Sequence, residues 1–174
     1  LPAHPAPHTM KTLWTPWRIE HVQGLAAKPR HCLFEPEGHE KQDKEQLLLF
    51  RNATVVVLLN RFPYSNGHLL VAPCRHVACI TELSPAEAAD LTLMVQRATA
   101  ILRRRLSPQG FNIGCNIGAP AGAGIADHLH YHIVPRWQDD HNFITVIAEL
   151  RTIPEHLLAT FDRLGPDFLA ISST

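Results

Sequence analysis

Three histidines at alternate positions are the part of the sequence best suited to chemistry. They are His128, His130 and His132, and they lie in the stretch "HLHYHIVPRW". In an α-helix His130 would point nearly opposite to the other two, whereas in a β-strand all three side chains point the same way. The residues between them are apolar or aromatic, which is the alternation of a half-buried strand. The pattern predicts a strand with one histidine face.

Three imidazoles on one strand face are compatible with three kinds of function. They could ligate zinc, they could supply a nucleophile together with acid and base groups, or they could merely form a polar face. An imidazole with an available ring nitrogen can attack phosphorus and form a phosphoramidate, while its neighbours protonate the leaving oxygen. The strand alone leaves all three functions open.

A glycine-rich loop immediately before this strand favours a phosphate ligand. The loop "NIGAPAGAGIAD" contains Gly118, Gly122 and Gly124, and glycine lets backbone N–H groups converge on an anion. It differs from a Walker A loop, which continues with Gly-Lys-Ser/Thr, and from a dinucleotide-binding turn, which leads into a helix. Beside three aligned histidines, such a loop would stabilise charge on phosphoryl oxygens.

Length and composition predict one soluble globular domain. The chain has 174 residues, of which 45% are hydrophobic, and this is enough for a single core. Lys and Arg together number 16, as do Asp and Glu, so no net charge attracts nucleic acid or an anionic membrane. The longest apolar run is far below the roughly 18 residues that cross a bilayer. We therefore expect no nucleic-acid or membrane partner.

The cysteines and the first residues indicate a reducing compartment. The chain has four cysteines without a Cys-x-x-Cys pair: Cys32, Cys74, Cys79 and Cys115. This is typical of reduced thiols, and the last three are interpreted as small buried hydrophobes. Residues 1–9, "LPAHPAPHT", lack the features of a signal peptide, and their prolines predict an extended or disordered tail. We expect a cytoplasmic protein with a single domain over residues 10–174.

Hydrophobic patterns predict an α+β fold with an antiparallel sheet. Two apolar runs joined by "RFPYSNG" are typical of a hairpin. A helix over residues 84–106 is indicated by Ser84 as N-cap, Pro85 in the first turn and Glu87 completing a capping box. Its apolar face should pack on the sheet, and Arg103–Arg105 should interact favourably with the helix dipole. Strands are predicted over residues 53–60, 68–73, 110–118, 128–135 and 142–150. A second helix is predicted over residues 155–164.

The same stretches resemble a known family. "HLHYHIVPRW" fits His-x-His-x-His followed by two apolar residues, the signature of the histidine triad family, and "NRFPYSNGHLLVAPCRH" resembles the hairpin that precedes this signature. "LWTPWR" and "DDHNF" are similar to the bacterial branch that includes diadenosine polyphosphate phosphorylases and hydrolases. The resemblance covers roughly residues 10–165, and its separate segments agree in order.

The resemblance implies a half-barrel-like antiparallel sheet with one long helix and a C-terminal helix. It also implies a nucleotidyl hydrolase or transferase that attacks the α-phosphate of an adenylated nucleotide, such as a dinucleoside polyphosphate. His130 would be the nucleophile that becomes nucleotidylated, His128 would orient it, and His132 would lie near the leaving group. His68 matches an upstream histidine that supports the triad.

The resemblance further implies residues that bind a purine nucleotide, adenosine above all. Asn60 matches a ribose-contacting position beside the base pocket, and Asn116 matches a polar residue near phosphate and ribose. Leu58 and Leu70 are expected to form walls of the base pocket. Many relatives carry Gly-Gln-Ser or Gly-Gln-Thr before the triad, whereas this chain has "AGAGIAD". Backbone N–H groups near Ala123 and Gly124 are therefore expected to hold the phosphate. This glycine-rich form resembles the phosphorylase branch, and the choice between water and phosphate as acceptor stays open.

Some relatives bind a structural zinc ion, and this chain departs from their ligand set. They use a Cys-x-x-Cys pair, a histidine after the second hairpin strand and the first triad histidine. Here the corresponding set is Cys32, Glu35, His76 and His128. Because a carboxylate replaces one thiolate, a metal-free site is favoured, and no cofactor is expected to be required.

Two other functions stay open beside a homodimeric nucleotidyl-histidine enzyme. One is a zinc-dependent hydrolase in which the three triad histidines are the ligands. The other is a module that binds a nucleotide without catalysis and contacts partners through the segment that carries Trp14 and Trp17, or through the C-terminal segment.

Overall fold

A five-stranded sheet and two helices form the fold of the residues that the computed structural model describes, which are 32–35, 42–138, 140 and 155–171. The strands are β1 (Leu48–Arg51), β2 (Val55–Leu59), β3 (Leu69–Pro73), β4 (Gly110–Cys115) and β5 (Tyr131–Arg136). The helices are α1 (Pro85–Leu106) and α2 (Leu157–Ile171), with short 3-10 turns at Ile80–Glu82 and Ala119–Ala121. The predicted α+β class, with an antiparallel sheet, a long helix and a C-terminal helix, is confirmed.

The sheet order places the histidine strand between the hairpin and the edge. The order is β1-β2-β3-β5-β4, and all neighbouring strands run antiparallel. β2 and β3 form the predicted hairpin, in which Leu58 pairs with Leu70, and every residue of these two strands is buried. His132 in β5 pairs with Leu70 on one side and with Gly114 of β4 on the other.

Apolar layers cover both faces of the central strands. The helix-side core packs sheet residues such as Leu69 and Ile133 against Leu102 of α1 and Phe168 of α2. A smaller layer, which we call the histidine-side cluster, lies on the opposite face and consists of Phe34, Leu48, Val56, Leu58, Leu70 and Ala72. Because strand side chains alternate between faces, the histidines opposite Leu70 share the face of this second layer.

α1 begins as the sequence predicts and is tied to α2 at its end. The Ser84 side chain accepts a hydrogen bond from the Glu87 backbone N–H, and the Glu87 carboxylate accepts one from the Ser84 N–H. The predicted apolar face of the helix packs into the helix-side core. In the last turn, Arg104 and Arg105 both donate to the carboxylate of Asp167 in α2. The basic cluster therefore joins two helices, in addition to its predicted favourable position in the helix dipole.

Strand boundaries differ from the predicted ones at three places. β1 has no counterpart in the prediction, because its four residues directly follow a charged segment and show no alternation. β4 ends at Cys115 rather than at residue 118, since Gly118 adopts a φ of +83° that no strand residue has. β5 begins at Tyr131 rather than at residue 128, because the N–H of Leu129 donates instead to the carbonyl of Val77, 2.6 Å away, outside the sheet.

Two further expectations need correction. The sequence predicts that the second helix ends near residue 164, before Gly165 and Pro166, but α2 continues to Ile171 because Phe168 beyond them is fully buried in the helix-side core. The cysteines are free thiols, as expected, but Cys74, Cys79 and Cys115 are half-buried rather than buried. Each of them lies at a strand end or beside a turn, where the core does not enclose the side chain.

Several predicted features lie outside the described residues. These are the tail over residues 1–9, the tryptophans at 14 and 17, and the strand over residues 142–150. Within the part of the chain that the structure describes, no helix is long and apolar enough to cross a membrane.

Substitution of Gly67 by alanine is expected to destabilise the fold. Gly67 has a φ of +71°, and a Cβ added there would lie 2.3 Å from Cδ1 of Leu106. Backbone strain and overpacking together should lower the free energy of unfolding by about 2–3 kcal/mol, which urea unfolding measures. Gly114→Ala is the matched control, since no heavy atom of the described residues lies within 4 Å of its added Cβ. An unchanged urea midpoint for Gly67→Ala would contradict this expectation.

Candidate active site

The three histidines meet on one side of the sheet, as the alternation predicts. His132 lies in β5, while His128 and His130 lie in the residues just before it, His128 at a bend. Phe34 of the histidine-side cluster contacts the rings of both His128 and His130, at centroid distances of 4.9 and 5.1 Å. Leu129, between these two histidines, is buried in the helix-side core instead. The histidine face therefore extends beyond the regular strand.

The His130 ring is held with one nitrogen prepared for nucleophilic attack. Its Nδ1 lies 2.8 Å from the carbonyl oxygen of His128. A carbonyl oxygen only accepts hydrogen bonds, so Nδ1 must carry the proton, and in the neutral ring the lone pair is then on Nε2. Phe34 lies against the ring at an interplanar angle of 28°, and His130 is only 3% exposed. The tautomer and the orientation of this imidazole are both set by the fold.

A chain of hydrogen bonds sets the tautomer of His132. The backbone N–H of Tyr64 donates to Nδ1 of His68 at 3.0 Å, so a neutral His68 carries its proton on Nε2. That Nε2 lies 3.0 Å from Nδ1 of His132 and donates to it. His132 consequently carries its own proton on Nε2. The amide nitrogen of Asn60 lies 3.3 Å from Nδ1 and 3.5 Å from Nε2 of His68, so it packs against the ring without deciding which nitrogen carries the proton.

His132 is neutral at physiological pH. Burial, followed by the neighbouring His130, lowers the pKa of His132 from 6.5 to about 4. The ring is in contact with His68, which directly precedes β3, and with Tyr64 in the hairpin turn. The ion pair of Arg136 with Asp140 lines the same cleft as His132. His132 therefore presents an Nε2–H donor without a positive charge.

The depressed pKa of His132 predicts that the protein loses stability in acid. The unfolded chain binds a proton near pH 6.5, whereas folded His132 resists protonation until about pH 4. Stability from this group is thus fully present above pH 6.5 and is lost as the pH falls towards 4. We expect a decrease in the free energy of unfolding of about 1–2 kcal/mol between pH 7.5 and 4.5, allowing for solvent screening.

Urea unfolding at both pH values measures this decrease, and His132→Gln is the control because glutamine does not titrate. The variant should show a smaller decrease than the wild type. An equal decrease in the two proteins would exclude His132 as its source.

His128 connects the triad to the rest of the fold. Its Nε2 lies 2.9 Å from the carbonyl oxygen of Pro73, to which it donates, so Nδ1 is the accepting atom. Nδ1 accepts from the thiol of Cys32 at 3.1 Å. Burial lowers the pKa of His128. The neutral His128 ring is hydrogen-bonded at both nitrogens, and this fixes the position of its backbone carbonyl. That carbonyl in turn accepts the hydrogen bond from Nδ1 of His130.

The residues of the predicted zinc set do converge. One ligand atom each from Cys32, His76 and His128 lie within 4.8 Å of one another, and a carboxylate oxygen of Glu35 lies 3.3 Å from Nδ1 of His76. A thiolate, two imidazoles and a carboxylate are ligands that zinc accepts, and the hydrogen bond from His128 to Pro73 is typical of a metal-binding histidine. Burial raises the pKa of the Cys32 thiol, so a metal would have to displace its proton. The donor set fits a zinc ion.

The geometry does not favour the triad histidines as a zinc site of their own. Among the described residues, the group that could hold a metal contains His128 but neither His130 nor His132. His130 uses Nδ1 for the carbonyl of His128, and His132 uses Nδ1 for His68. A ring nitrogen of each histidine is therefore bonded to a different partner, and the three rings do not converge on one metal position.

The predicted base walls lie beside the triad but are covered. Leu58 and Leu70 belong to the histidine-side cluster and are 2% and 5% exposed, with Phe34 in the same layer. Asn60, the predicted ribose contact, bonds to the ring of His68 instead. A base entering between the leucines would require Phe34 to shift.

The glycine loop lies next to the triad, and its polar groups bond mainly to one another. The Asn116 side chain donates to the carbonyl of Gly122 at 3.4 Å, and the Ala123 N–H lies 3.4 Å from the carbonyl of Gly118. At Gly124, no heavy atom of the described residues lies within 4 Å of an added Cβ, so the loop is open there. Both hydrogen bonds, one from a side chain and one from the backbone, are long and would be exchanged readily for an anion.

Two aromatic residues contact the histidines and were not predicted from the sequence. Phe34 packs on His128 and His130, and nothing in its local sequence indicates this role. Tyr64 lies 4.7 Å from the ring of His68 and 5.9 Å from that of His132. Its place in the turn of the hairpin, four residues before His68, was an available signal.

Comparisons with known proteins agree with this geometry. The model of the HIT domain family matches residues 41–139. An AP-4-A phosphorylase of Mycobacterium tuberculosis is 36% identical over 157 residues, which cover 87% of this chain and 80% of that protein. The adenosine 5'-monophosphoramidase hnt1 of Schizosaccharomyces pombe is 32% identical over 125 residues, covering 72% and 90%.

A solved structure shares the fold as well. The crystal structure of a zinc-bound histidine triad family protein from Mycobacterium smegmatis superposes with a TM-score of 0.59 at 26% identity, covering 73% of this chain and 86% of the other. The family model matches more than half of the sequence. The aligned histidine face and the five-stranded antiparallel sheet agree with that match. The chain belongs to the HIT domain family, the histidine triad proteins.

Proposed function

We propose that this protein is a nucleotidyl hydrolase or phosphorylase that cleaves dinucleoside polyphosphates at the α-phosphate through a covalent nucleotidyl-His130 intermediate. The observation that carries the proposal is the tautomer of His130, whose Nδ1 donates to the His128 carbonyl so that Nε2 bears the lone pair. The names of the Mycobacterium tuberculosis and Schizosaccharomyces pombe relatives support an enzyme acting on adenylated nucleotides.

In the first step, Nε2 of His130 attacks the α-phosphorus of the bound nucleotide. A P–N bond forms, the P–O bond to the rest of the substrate breaks, and its electron pair goes to the leaving oxygen. The ring becomes cationic, and the carbonyl of His128 on its Nδ1–H stabilises that charge. The Nε2–H of neutral His132 donates a hydrogen bond to the leaving oxygen. A polyphosphate is a good leaving group, so this donor need not transfer its proton.

In the second step, water or inorganic phosphate attacks the same phosphorus. The acceptor loses a proton to solvent, a P–O bond forms, the P–N bond breaks, and its electron pair returns to Nε2 of His130. With diadenosine tetraphosphate, the first step releases ATP, and the second yields AMP from water or ADP from phosphate. The loop N–H groups near Ala123 and Gly124, together with Asn116, are proposed to bind the phosphoryl oxygens. Leu58, Leu70 and Asn60 are proposed to hold the nucleoside.

Product analysis tests the proposal and decides the acceptor. The protein is incubated with diadenosine tetraphosphate in the presence and absence of inorganic phosphate, and nucleotides are separated by chromatography. If ATP and ADP form, and form only in the presence of phosphate, the protein is a phosphorylase. If ATP and AMP form, it is a hydrolase. Symmetric cleavage to two ADP molecules without phosphate, or no cleavage at all, would contradict the proposed function.

A metal is not part of the proposed mechanism. If zinc binds, Cys32, His76, His128 and Glu35 would hold it, and it would stabilise the position of His128 rather than touch the substrate. His128 contacts Nδ1 of His130 through its backbone carbonyl.

Removal of zinc is accordingly expected to leave turnover within about twofold of the untreated protein. The measurement is kcat for diadenosine tetraphosphate after dialysis against a zinc-selective chelator, with magnesium held constant and with zinc restored in a parallel sample. A loss of more than tenfold that zinc reverses would favour the zinc-dependent hydrolase instead.

We also propose a cytoplasmic homodimer. Ile113 on the edge strand β4 and Ile117 just beyond it are 46% and 41% exposed, so this edge of the described sheet offers apolar side chains and unpaired strand backbone to a second copy. The free cysteines suit a reducing compartment. Sedimentation velocity at micromolar concentration tests the dimer, and a single monomeric species would exclude it.

A further inference from the structure

A cleft continues the histidine face beyond His132, and of its lining residues the mechanism above uses only His132 and Asn116. Its volume is about 390 Å³, within the range of ligand pockets. His132 and Arg136 of β5 line its floor together with Asn112 and Gly114 of β4, and Tyr64 lines its side. These strand residues share one face, since Gly114 pairs with His132.

The cleft and the histidine-side cluster lie on opposite sides of His132. In the sheet, His132 pairs with Leu70 of β3 on one side and with Gly114 of β4 on the other. Leu70 is a proposed wall of the base pocket. A nucleotide bound against Leu70 would thus place its α-phosphate at the triad and its leaving group towards β4. Arg136 lies four residues along the strand from His132, about 13 Å away, and a phosphate chain can span that distance.

The polar groups of the cleft suit a nucleoside better than a bare polyanion. The Arg136 guanidinium is matched by the Asp140 carboxylate through two hydrogen bonds of 2.6 and 2.7 Å, so its charge is balanced. A third bond of 2.9 Å joins it to the side-chain oxygen of Asn112. Tyr64 is 40% exposed, and its ring stacks near that of His132 at an interplanar angle of 21°. Neutral amides, a hydroxyl and an exposed aromatic ring match ribose and base.

We propose that this cleft is a second nucleoside subsite, which binds the nucleoside end of the leaving nucleotide. The inference rests on the proposed function. Such a subsite would favour dinucleoside polyphosphates over adenylated compounds with a small leaving group. The phosphate chain would lie between His132 and Arg136, and the second nucleoside would contact Tyr64, Ser65 and Asn112.

Gly114 offers a way to fill the cleft without disturbing the core. Its added Cβ would face the cleft beside His132, and no heavy atom of the described residues lies within 4 Å of it. Gly114→Ala and Gly114→Leu form a size series. Ala100→Leu, at an exposed position of α1, is the matched control for added apolar volume.

The readout is the ratio of kcat/KM for diadenosine tetraphosphate to kcat/KM for adenosine 5'-phosphoramidate, which has the same adenylyl group but releases ammonia. We expect Gly114→Leu to lower this ratio at least about tenfold, Gly114→Ala to lower it less, and Ala100→Leu to leave it unchanged. An unchanged ratio in Gly114→Leu would overturn the inference, whether both activities persist or both fall together.

Binding separates this inference from the proposed function. Calorimetry with AMP and with a methylene-bridged, non-hydrolysable diadenosine tetraphosphate needs no turnover. Wild type should bind the analogue at least about tenfold more tightly than AMP, and Gly114→Leu should bind the two equally. If wild type turns over both substrates but binds the analogue no more tightly than AMP, the subsite is wrong and the proposed function stands. If it neither binds nor cleaves any of these nucleotides, both are wrong.

Discussion

His130→Asn is expected to lower kcat for diadenosine tetraphosphate by about 10⁴-fold or more, because it removes the only atom that can form the P–N bond in the proposed mechanism. We propose Nε2 of His130 as that atom, because Nδ1 donates to the His128 carbonyl. The Asn side chain is shorter than imidazole, and its amide nitrogen is not nucleophilic. Phe34 would still cover the position.

Nucleotide binding should persist in this variant. Binding of AMP, measured by calorimetry, is expected to stay within a few-fold of wild type, because His130 contributes the attacking atom rather than the base or ribose contacts. His156→Asn is the matched control, since His156 is exposed at the start of α2 and asparagine is favoured there. Turnover of His130→Asn near the wild-type rate would contradict the assignment, and loss of both binding and turnover would indicate a structural role.

His132→Asn is expected to lower kcat for the same substrate by about 10²–10³-fold, the usual cost of removing one oxyanion donor. The chain from Tyr64 through His68 leaves the His132 proton on Nε2, where it can reach the leaving oxygen. An asparagine amide extends only about as far as Nδ1 and loses this donor. His132→Gln extends about as far as Nε2 and should recover part of the loss.

The comparison of the two variants separates catalysis from packing. Steady-state kinetics should show the difference between them in kcat, with KM changing little, since the donor acts on the leaving oxygen as charge develops. If glutamine and asparagine lower kcat equally, the His132 ring acts through packing against Tyr64 and His68 rather than through its N–H.

Much of the fold follows from local sequence. The alternation around Leu129 and Ile133 predicts the histidine face, and the capping box at Ser84 predicts where α1 begins. These patterns depend on periodicity and on side chains that bond to nearby backbone, so a single segment is enough to reveal them. β1 escapes this kind of prediction, because four residues are too few to show a period and their pairing with β2 is a tertiary interaction.

The site could be predicted only in part. The spacing of the triad identifies which histidines cooperate, but their tautomers depend on the carbonyl of Pro73 and the N–H of Tyr64, which are distant along the chain. Phe34 reaches the triad from a segment almost 100 residues earlier, as the 96-residue separation of the Cys32–His128 contact illustrates. Such contacts follow from the folded arrangement of the sheet, and no local pattern encodes them.

The zinc set illustrates the same limit. Cys32, His76 and His128 lie in three separate segments, and only the fold brings their ligand atoms within 4.8 Å. The substitution of a carboxylate for a thiolate at Glu35 could be seen in the sequence, but its proximity to His76 could not. The converging groups form a donor set that fits zinc, while the proposed mechanism depends on His130.

Covalent catalysis by His130 is tested most directly by intact-protein mass spectrometry after rapid quenching with diadenosine tetraphosphate at high pH, where a phosphoramidate survives. The proposed mechanism predicts a transient mass increase of one adenylyl group on the wild type, acid-labile and absent from His130→Asn. An active wild type with no adduct at any time point, or an adduct that also forms on His130→Asn, would contradict it.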